Sequence, residues 1–213
     1  MIHILLADDH PLVRAGVRAE LEANADLRVV AEAGTADEAV QRASAENPDV
    51  TVLDVQLGVE SGIHACRQIR EAQPQCAVVM LTAFDWDVYL AQAWHAGAAA
   101  FVIKSDDSTM LIGIIRQVHT GQRAFTPEQL HRIATWQREV AAPLATLTAR
   151  ERAVLRLVVA GKSNRAIAEA LVISQSTVEK HVSALLRKLG LRSARELLAF
   201  VIAHRLQAWL VDE

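Results

Sequence analysis

Cysteine is scarce in this chain: Cys66 and Cys76 are the only two in 213 residues. Two thiols so spaced form neither a disulfide framework nor a metal-type pair, so two reduced thiols are expected. No apolar stretch approaches the roughly 18 residues of a membrane span. The N-terminal apolar run has no basic leader and is broken by Asp8 and Asp9, unlike a secretory signal. Those features predict a cytoplasmic protein with no membrane partner. Aromatic residues make up only 4% of the chain. Trp86 and Trp94, eight apart, are expected to share one face of a helix and to pack there, not to hold a cofactor. There is no internal repeat and no low-complexity tract. Apolar side chains are plentiful: 52% of residues are hydrophobic and 22% charged. That balance suits a folded core, whereas disorder needs the reverse.

The net charge of −3 hides an asymmetry. Residues 1–120 carry 8 basic and 17 acidic groups, a net of −9. Residues 121–146 carry +1, and residues 147–213, with 11 basic and 6 acidic groups, carry +5. An acidic first part joined to a basic last part suggests a regulatory half and a polyanion-binding half. The opposite signs also permit an inhibitory contact between the two, which high salt would weaken.

Patterning divides the chain in the same way. Short apolar runs at 2–7, 28–33, 50–54, 77–81 and 99–103 read as strands. Between and after them, segments 12–21, 36–45, 63–72, 88–96 and 110–119 have helical periodicity. Five strands alternating with five helices predict an α/β fold, a doubly wound parallel sheet covered on both faces. Such sheets bind ligands beyond the carboxyl ends of their strands. Thr126-Pro127-Glu128 opens a helix of roughly 127–140, which Ala141-Ala142-Pro143 is expected to interrupt. The remainder reads as four helices, about 149–160, 164–171, 175–189 and 193–209. The resulting domains are 1–120, a linker 121–146 with one helix, and a small all-α domain 147–213.

Carboxylates fall at the predicted strand ends. Asp8 and Asp9 follow the first strand and Asp54 ends the third. Crowded there, the three would raise one another's pKa, and a hard divalent cation would relieve the repulsion. Oxygen ligands with retained water suit Mg²⁺. Thr82 follows the fourth strand and Lys104 the fifth, a hydroxyl and an ammonium suited to orienting phosphoryl oxygens. The bland alternative makes each Asp a helix cap, Lys104 a surface lysine and Thr82 a cap.

Ala7-Asp8-Asp9-His10-Pro11-Leu12-Val13-Arg14, Asp54, Gly62, Leu81-Thr82-Ala83, Gly97-Ala98, Phe101 and Lys104 together resemble a response-regulator receiver domain over about 1–120. The resemblance implies a flavodoxin-like strand order 2-1-3-4-5. It makes Asp54 the phosphoacceptor from a sensor histidine kinase or a small phosphodonor. Asp9, Asp54 and the backbone carbonyl of Gln56 would bind Mg²⁺, with Asp8 acting through water. Lys104 would contact the phosphoryl group, Thr82 would move to hydrogen-bond it, and Phe101 would rotate inward behind Thr82. One departure stands out. Receivers commonly carry Met-Pro where this chain has Leu57-Gly58, so a looser loop is expected there.

In the last part, Ile167, Leu171, Ile173, Val178, Val182, Leu185 and Leu189 suit a core between two crossing helices. Ser176–Glu179 has capping-box spacing, with Ser174 as a competing cap. The third helix offers an exposed face of Lys180, Ser183, Arg187 and Lys188. An ordinary helical bundle with a basic face would look similar. The string Leu147-Thr148, Arg150-Glu151, Val154-Leu155, Gly161, Ser163-Asn164, Ile167-Ala168, Leu171, Ser174, Thr177-Val178, His181 and Lys188-Leu189-Gly190 decides otherwise. Over 147–205 it resembles the LuxR-type helix-turn-helix of NarL/FixJ-type regulators. The resemblance implies that 176–189 enters the major groove of double-stranded promoter DNA. Glu179, Lys180 and Ser183 would read bases, while Thr177, His181, Arg187 and Lys188 would serve the backbone or orient the helix. The helix from Ser193 would supply a dimer contact. Glu179 stands where relatives often carry Lys or Arg; it could accept from a cytosine amine or merely cap the helix. Ala194 replaces a common arginine, leaving Arg192 or Arg195 to make that phosphate contact.

The expected function is therefore a two-component response regulator of transcription, not an enzyme, that forms a homodimer on activation. RNA polymerase is a further partner this class allows. Two rivals are weighed. A Mg²⁺-dependent phosphatase with an aspartate nucleophile needs a second acid two residues on, where Gln56 stands. A phosphorylation-independent DNA-binding regulator would have lost Asp9, Asp54, Thr82 or Lys104, and all four are present.

Overall fold

The computed structural model describes residues 1–104 and 108–206. The chain divides into two compact units, Met1–Ile133 and a second that begins at Ala134. In the first unit the elements run β1 (Ile2–Ala7), α1 (Pro11–Glu22), β2 (Leu27–Ala33), α2 (Ala36–Glu46) and β3 (Val50–Leu53). A small hairpin of β4 (Gln56–Leu57) and β5 (Glu60–Ser61) comes next. After it lie α3 (Gly62–Ala72), β6 (Ala77–Thr82), α4 (Asp87–His95), β7 (Ala100–Ile103) and α5 (Ser108–His119).

The main sheet is parallel, in the order β2-β1-β3-β6-β7. With the hairpin set aside, that is the expected 2-1-3-4-5. Strands β3 and β6 are buried along their whole length, which is why they read as nearly continuous apolar runs, broken by buried Thr51 in β3 and ended by Thr82 in β6. On one face, Ile4, Leu6, Val52, Val79, Leu81 and Val102 pack with Leu21, Leu111, Ile115 and Val118. Each such side chain contributes about 1.5–3 kcal/mol when fully buried. Register then sets the site. Ala7 lies opposite Leu53, and Thr82 opposite Ile103. The Asp54 N–H donates to the Ala7 carbonyl at 2.9 Å, and the Lys104 N–H to the Thr82 carbonyl at 2.7 Å. The carboxyl ends of β1, β3, β6 and β7 therefore share one rim.

Where a looser loop is expected, the chain forms a short hairpin. Gly58 adopts φ +67°, a left-handed turn conformation closed to proline, and β4 and β5 pair antiparallel around it. The tryptophan expectation also needs correction. Trp86 precedes α4 as its N-cap and stacks on Tyr89, while Trp94 meets Phe125 edge-on beneath Arg123. Only Trp94 lies within the helix, so the two share no helical face.

Helix α6 (Pro127–Trp136) opens with a reciprocal cap. The Gln129 N–H donates to Thr126 Oγ1, and the Thr126 N–H to Gln129 Oε1. Contrary to expectation, Pro143 does not break the helical path beyond α6. A π-helical turn at Gln137–Ala141 leads into α7 (Ala142–Ala145). There the Ala142 N–H reaches the Gln137 carbonyl. The wider turn makes room ahead of the proline, which sits in the first turn of α7, where a missing N–H costs least.

The second unit contains α8 (Ala149–Val159), α9 (Asn164–Leu171), α10 (Gln175–Lys188) and α11 (Ala194–Ala203). Thr148, Ser163, Ser174 and Ser193 each accept a backbone N–H at their N-termini. The capping box forms at Thr148/Glu151. At α10 the cap is Ser174, so neither Ser176 nor Glu179 plays that part. Val154, Ile167, Ala168 and Val178 form the centre of the core. Helix α11 stops at Ala203, short of the expected 209, and Arg205 takes φ +53°. Residues 207–209 of that expectation lie outside the described residues.

Candidate functional site

Three carboxylates and an imidazole meet beyond β1 and β3. One ligand atom from each of Asp8, Asp9, His10 and Asp54 lies within 4.8 Å of all the others. Asp8 and Asp54 are buried, and the Lys104 ammonium bonds to both, at 2.6 Å from Asp8 Oδ2. Asp54 Oδ1 also accepts the Gln56 N–H at 3.3 Å, and Asp8 Oδ1 accepts the His10 N–H at 2.8 Å. Asp9 Oδ2 accepts the Gly58 N–H at 3.0 Å. A proline at position 58 could not supply that donor.

Burial pushes the Asp54 carboxyl above its ordinary value, against the pull of Lys104. Burial opposes the charge on Lys104, yet Asp54 and Asp8 hold its pKa above normal. The pocket is thus short of positive charge. Asp9 Oδ1 is buried without a hydrogen bond, although His10 Nδ1 lies 2.6 Å away. Oxygen donors in this density fit a hard divalent cation.

Gly62 fixes the wall behind Asp54. A Cβ there would sit 1.8 Å from the Asp54 carbonyl oxygen, while the Gly62 N–H donates to the Val55 carbonyl at 2.9 Å. Thr82 is fully buried at the end of β6, and its Oγ1 accepts the Phe84 N–H at 3.2 Å. Phe101 is 1% exposed, so its ring already occupies an inward position. Gln56 Nε2 donates to the Tyr89 hydroxyl at 2.9 Å, and Tyr89 stacks on Trp86.

Sequence reasoning placed Asp8, Asp9, Asp54, Thr82 and Lys104 at this rim, and the fold brings them there. It missed His10 and Gly58 as neighbours of Asp9, and Tyr89. His10 lay within the first acidic motif and was open to inspection; the Gly58 contact depends on a hairpin that four residues of strand do not announce.

Both cysteines are buried, and desolvation pushes the Cys66 thiol up to about 12, which leaves little thiolate to react.

On α10, Glu179, Lys180, Ser183 and Arg187 are exposed, and Thr177 and His181 are half-buried. Ser183 Oγ donates back to the Glu179 carbonyl at 2.8 Å. Lys188 departs from the expected exposed face. Its ammonium lies 2.7 Å from Glu151 Oε2 and donates to the Thr146 carbonyl at 2.9 Å, tying α10 to the start of α8. A buried carboxylate in the capping box draws the lysine inward. Burial would raise the Glu151 carboxyl, but Lys188 and the Thr148 donors more than offset it and hold the pKa low.

Among the described residues no helix is long and apolar enough to cross a membrane.

Comparison with known proteins matches residues 4–116 to the response regulator receiver domain and residues 145–201 to the bacterial regulatory proteins of the luxR family. The response regulator protein VraR of Staphylococcus aureus (strain NCTC 8325 / PS 47) is 32% identical, across 96% of this chain and 98% of VraR. A LuxR-family two-component response regulator from Aurantimonas sp. SI85-9A1 is 34% identical with a TM-score of 0.60, covering 65% of this chain and 99% of that one. The RcsB response regulator of Salmonella typhimurium, 22% identical over 94% of this chain and 99% of its own, has a TM-score of 0.67 and supports the fold alone.

Proposed function

The chain belongs to the two-component response regulators with a LuxR-type DNA-binding domain, and from that premise we propose that Asp54 is its phosphoacceptor and α10 its DNA-reading helix. The observation that carries this reading is the contact of the Lys104 ammonium with buried Asp54 and Asp8, beside Asp9, at one rim of the sheet. An Asp54 carboxylate oxygen attacks phosphorus in a sensor kinase's phosphohistidine. The P–O bond forms as the P–N bond breaks, and the imidazole leaves with a proton. Lys104 then passes from the carboxylate to a phosphoryl oxygen, and the Thr82 hydroxyl donates to another. Asp9, Asp54 and the Gln56 carbonyl are the residues to hold Mg²⁺, with Asp8 acting through water. Bound there, the cation neutralises charge on the transferring phosphoryl group. The transfer, and the later attack of water on the aspartyl phosphate that releases inorganic phosphate and restores the Asp54 carboxylate, are the chemistry assigned to the chain, and regulation of transcription in the cytoplasm is its task.

In the second unit, Lys180 and Ser183 face bases with Glu179, while Arg187, Thr177 and His181 serve the phosphate backbone. Lys188 orients the helix through Glu151. The test begins by incubating the protein with Mg²⁺ and a small phosphodonor. Mass spectrometry should find one phosphoryl group on Asp54, absent in Asp54→Asn. Retention of the label in that variant would overturn the assignment. Because Glu179 is exposed and does not cap α10, Glu179→Ala should lose a cytosine preference at one half-site position. Unchanged preference across sites varied at each base would remove Glu179 from base reading.

A further inference from the structure

Helix α6 reaches back to both segments that flank the acidic pocket. Arg132 Nε donates to Asp87 Oδ1 at 2.7 Å, and Arg132 Nη2 lies 2.8 Å from Asp85 Oδ1. Gln129 Nε2 donates to the Phe101 carbonyl at 3.0 Å. Asp85 and Asp87 flank Trp86 at the end of the loop that leaves Thr82, and Phe101 is on the neighbouring strand β7. The approach of the chain to α6 is itself pinned. The Ala124 N–H donates to the Ala99 carbonyl at 2.8 Å, and Arg123 lies 4.4 Å over the Trp94 ring.

A continuous set of contacts therefore runs from Asp54 to α6. The Gln56 N–H is on Asp54, the Gln56 side chain is on Tyr89, Tyr89 stacks on Trp86, and the acids beside Trp86 hold Arg132. Single surface ion pairs contribute little. Here one guanidinium, only a quarter exposed, bridges two half-exposed carboxylates in the six-residue segment that runs from Thr82, the last residue of β6, to Asp87, the first of α4. Burial works against its charge, yet the two acids more than offset that and raise its pKa.

We propose that Arg132 and Gln129 are positioning residues for the 82–87 loop. Through them α6 holds the loop in the geometry that goes with Lys104 bonded directly to Asp54. This inference rests on the reading of Asp54 as phosphoacceptor. A phosphoryl group on Asp54 takes Lys104 and Thr82 for itself, and the loop moves against the hold of Arg132. Coupling of this kind is reciprocal: whatever α6 adds to one loop geometry is subtracted from the affinity for a ligand that needs the other. Helix α6 continues past Ile133, where the second unit begins, so the same residues can pass the state of the site along the chain.

The test uses the full chain and beryllofluoride with Mg²⁺, a phosphoryl mimic, titrated by calorimetry. Arg132→Ala should bind the mimic roughly 3- to 10-fold more tightly than the wild type. Asp87→Arg should do the same, and the exchange pair Arg132→Asp with Asp87→Arg should return the affinity towards the wild-type value. A merely structural arginine would give no such rescue. An affinity in Arg132→Ala within twofold of wild type, or weaker, overturns the proposal, as does an exchange pair no different from its singles. If the wild type does not bind the mimic, or Asp54→Asn binds it equally well, the phosphoacceptor reading fails and the positioning role falls with it. Binding by the wild type with no change in Arg132→Ala removes the positioning role alone.

Discussion

At the level of single residues, the pocket depends on an absence of side chain as much as on its acids. Gly62 opens α3 against the backbone of Asp54, and even a methyl group there would overlap the Asp54 carbonyl oxygen at 1.8 Å. Backbone cannot rotate aside as a side chain can. Either the hairpin and α3 move out or the end of β3 moves with its carboxylate. Gly62→Ala is expected to cost roughly 1–3 kcal/mol, as overpacked cores do, and to weaken binding of a Mg²⁺-dependent phosphoryl mimic. Gly113→Ala is the control, since nothing lies within 4 Å of that site. Urea unfolding of the two variants beside wild type checks this. Equal midpoints for Gly62→Ala and wild type would mean that the close approach is relieved at no cost. Gly62 was legible in the sequence only as a motif position, because the reason for it is a distance between segments that the hairpin creates.

Among the elements, α8 and α10 show how a helix cap can organise a domain. Glu151 closes the capping box with Thr148 and also holds Lys188 from the far end of α10. Its folded pKa lies below the ordinary 4.5. The stabilisation it gives is therefore complete above about pH 4.5 and is lost as pH falls through the lowered folded value. Glu151→Gln should cost roughly 2 kcal/mol at neutral pH and flatten the acid limb of the second unit's thermal stability. Melting followed between pH 3 and 7 checks both the size and the sign; a variant that keeps the wild-type acid limb would show that other carboxylates set it. Most elements were readable because β3 and β6 are nearly continuous apolar runs and because Ser or Thr stands at the start of each of α8, α9, α10 and α11. The exceptions are particular. Pro143 comes after a π turn, Lys188 turns inward to a buried carboxylate, and Val172 takes φ +55° between α9 and α10. Local propensity disfavours each: Pro143 and Lys188 sit beside the buried side chains of Leu144 and Glu151, while exposed Val172 is the left-handed C-cap that ends α9.

For the whole molecule, charge and symmetry make separable demands on DNA binding. A net of −9 over 1–120 repels a polyanion that the +5 of 147–213 attracts. Activation could raise affinity by relieving that repulsion in a single chain or by pairing two DNA-binding domains. These differ in salt dependence. Each phosphate neutralised adds about one unit to the slope of log affinity against log salt. A dimer neutralises twice as many as a monomer, so if beryllofluoride activates by dimerisation the slope should roughly double. The gain should also depend on half-site spacing. Inserting about 5 base pairs, half a helical turn, puts the second half-site on the wrong face of the duplex and should remove most of it. Arg187→Ala should lower the slope in proportion to the number of chains bound, whereas Lys180→Ala should chiefly relax base preference. Fluorescence anisotropy on paired, respaced and single half-sites, at several salt concentrations with and without the mimic, measures all of these. A higher affinity with an unchanged slope, and indifference to spacing, would mean that the phosphoryl signal frees one domain and recruits no second copy.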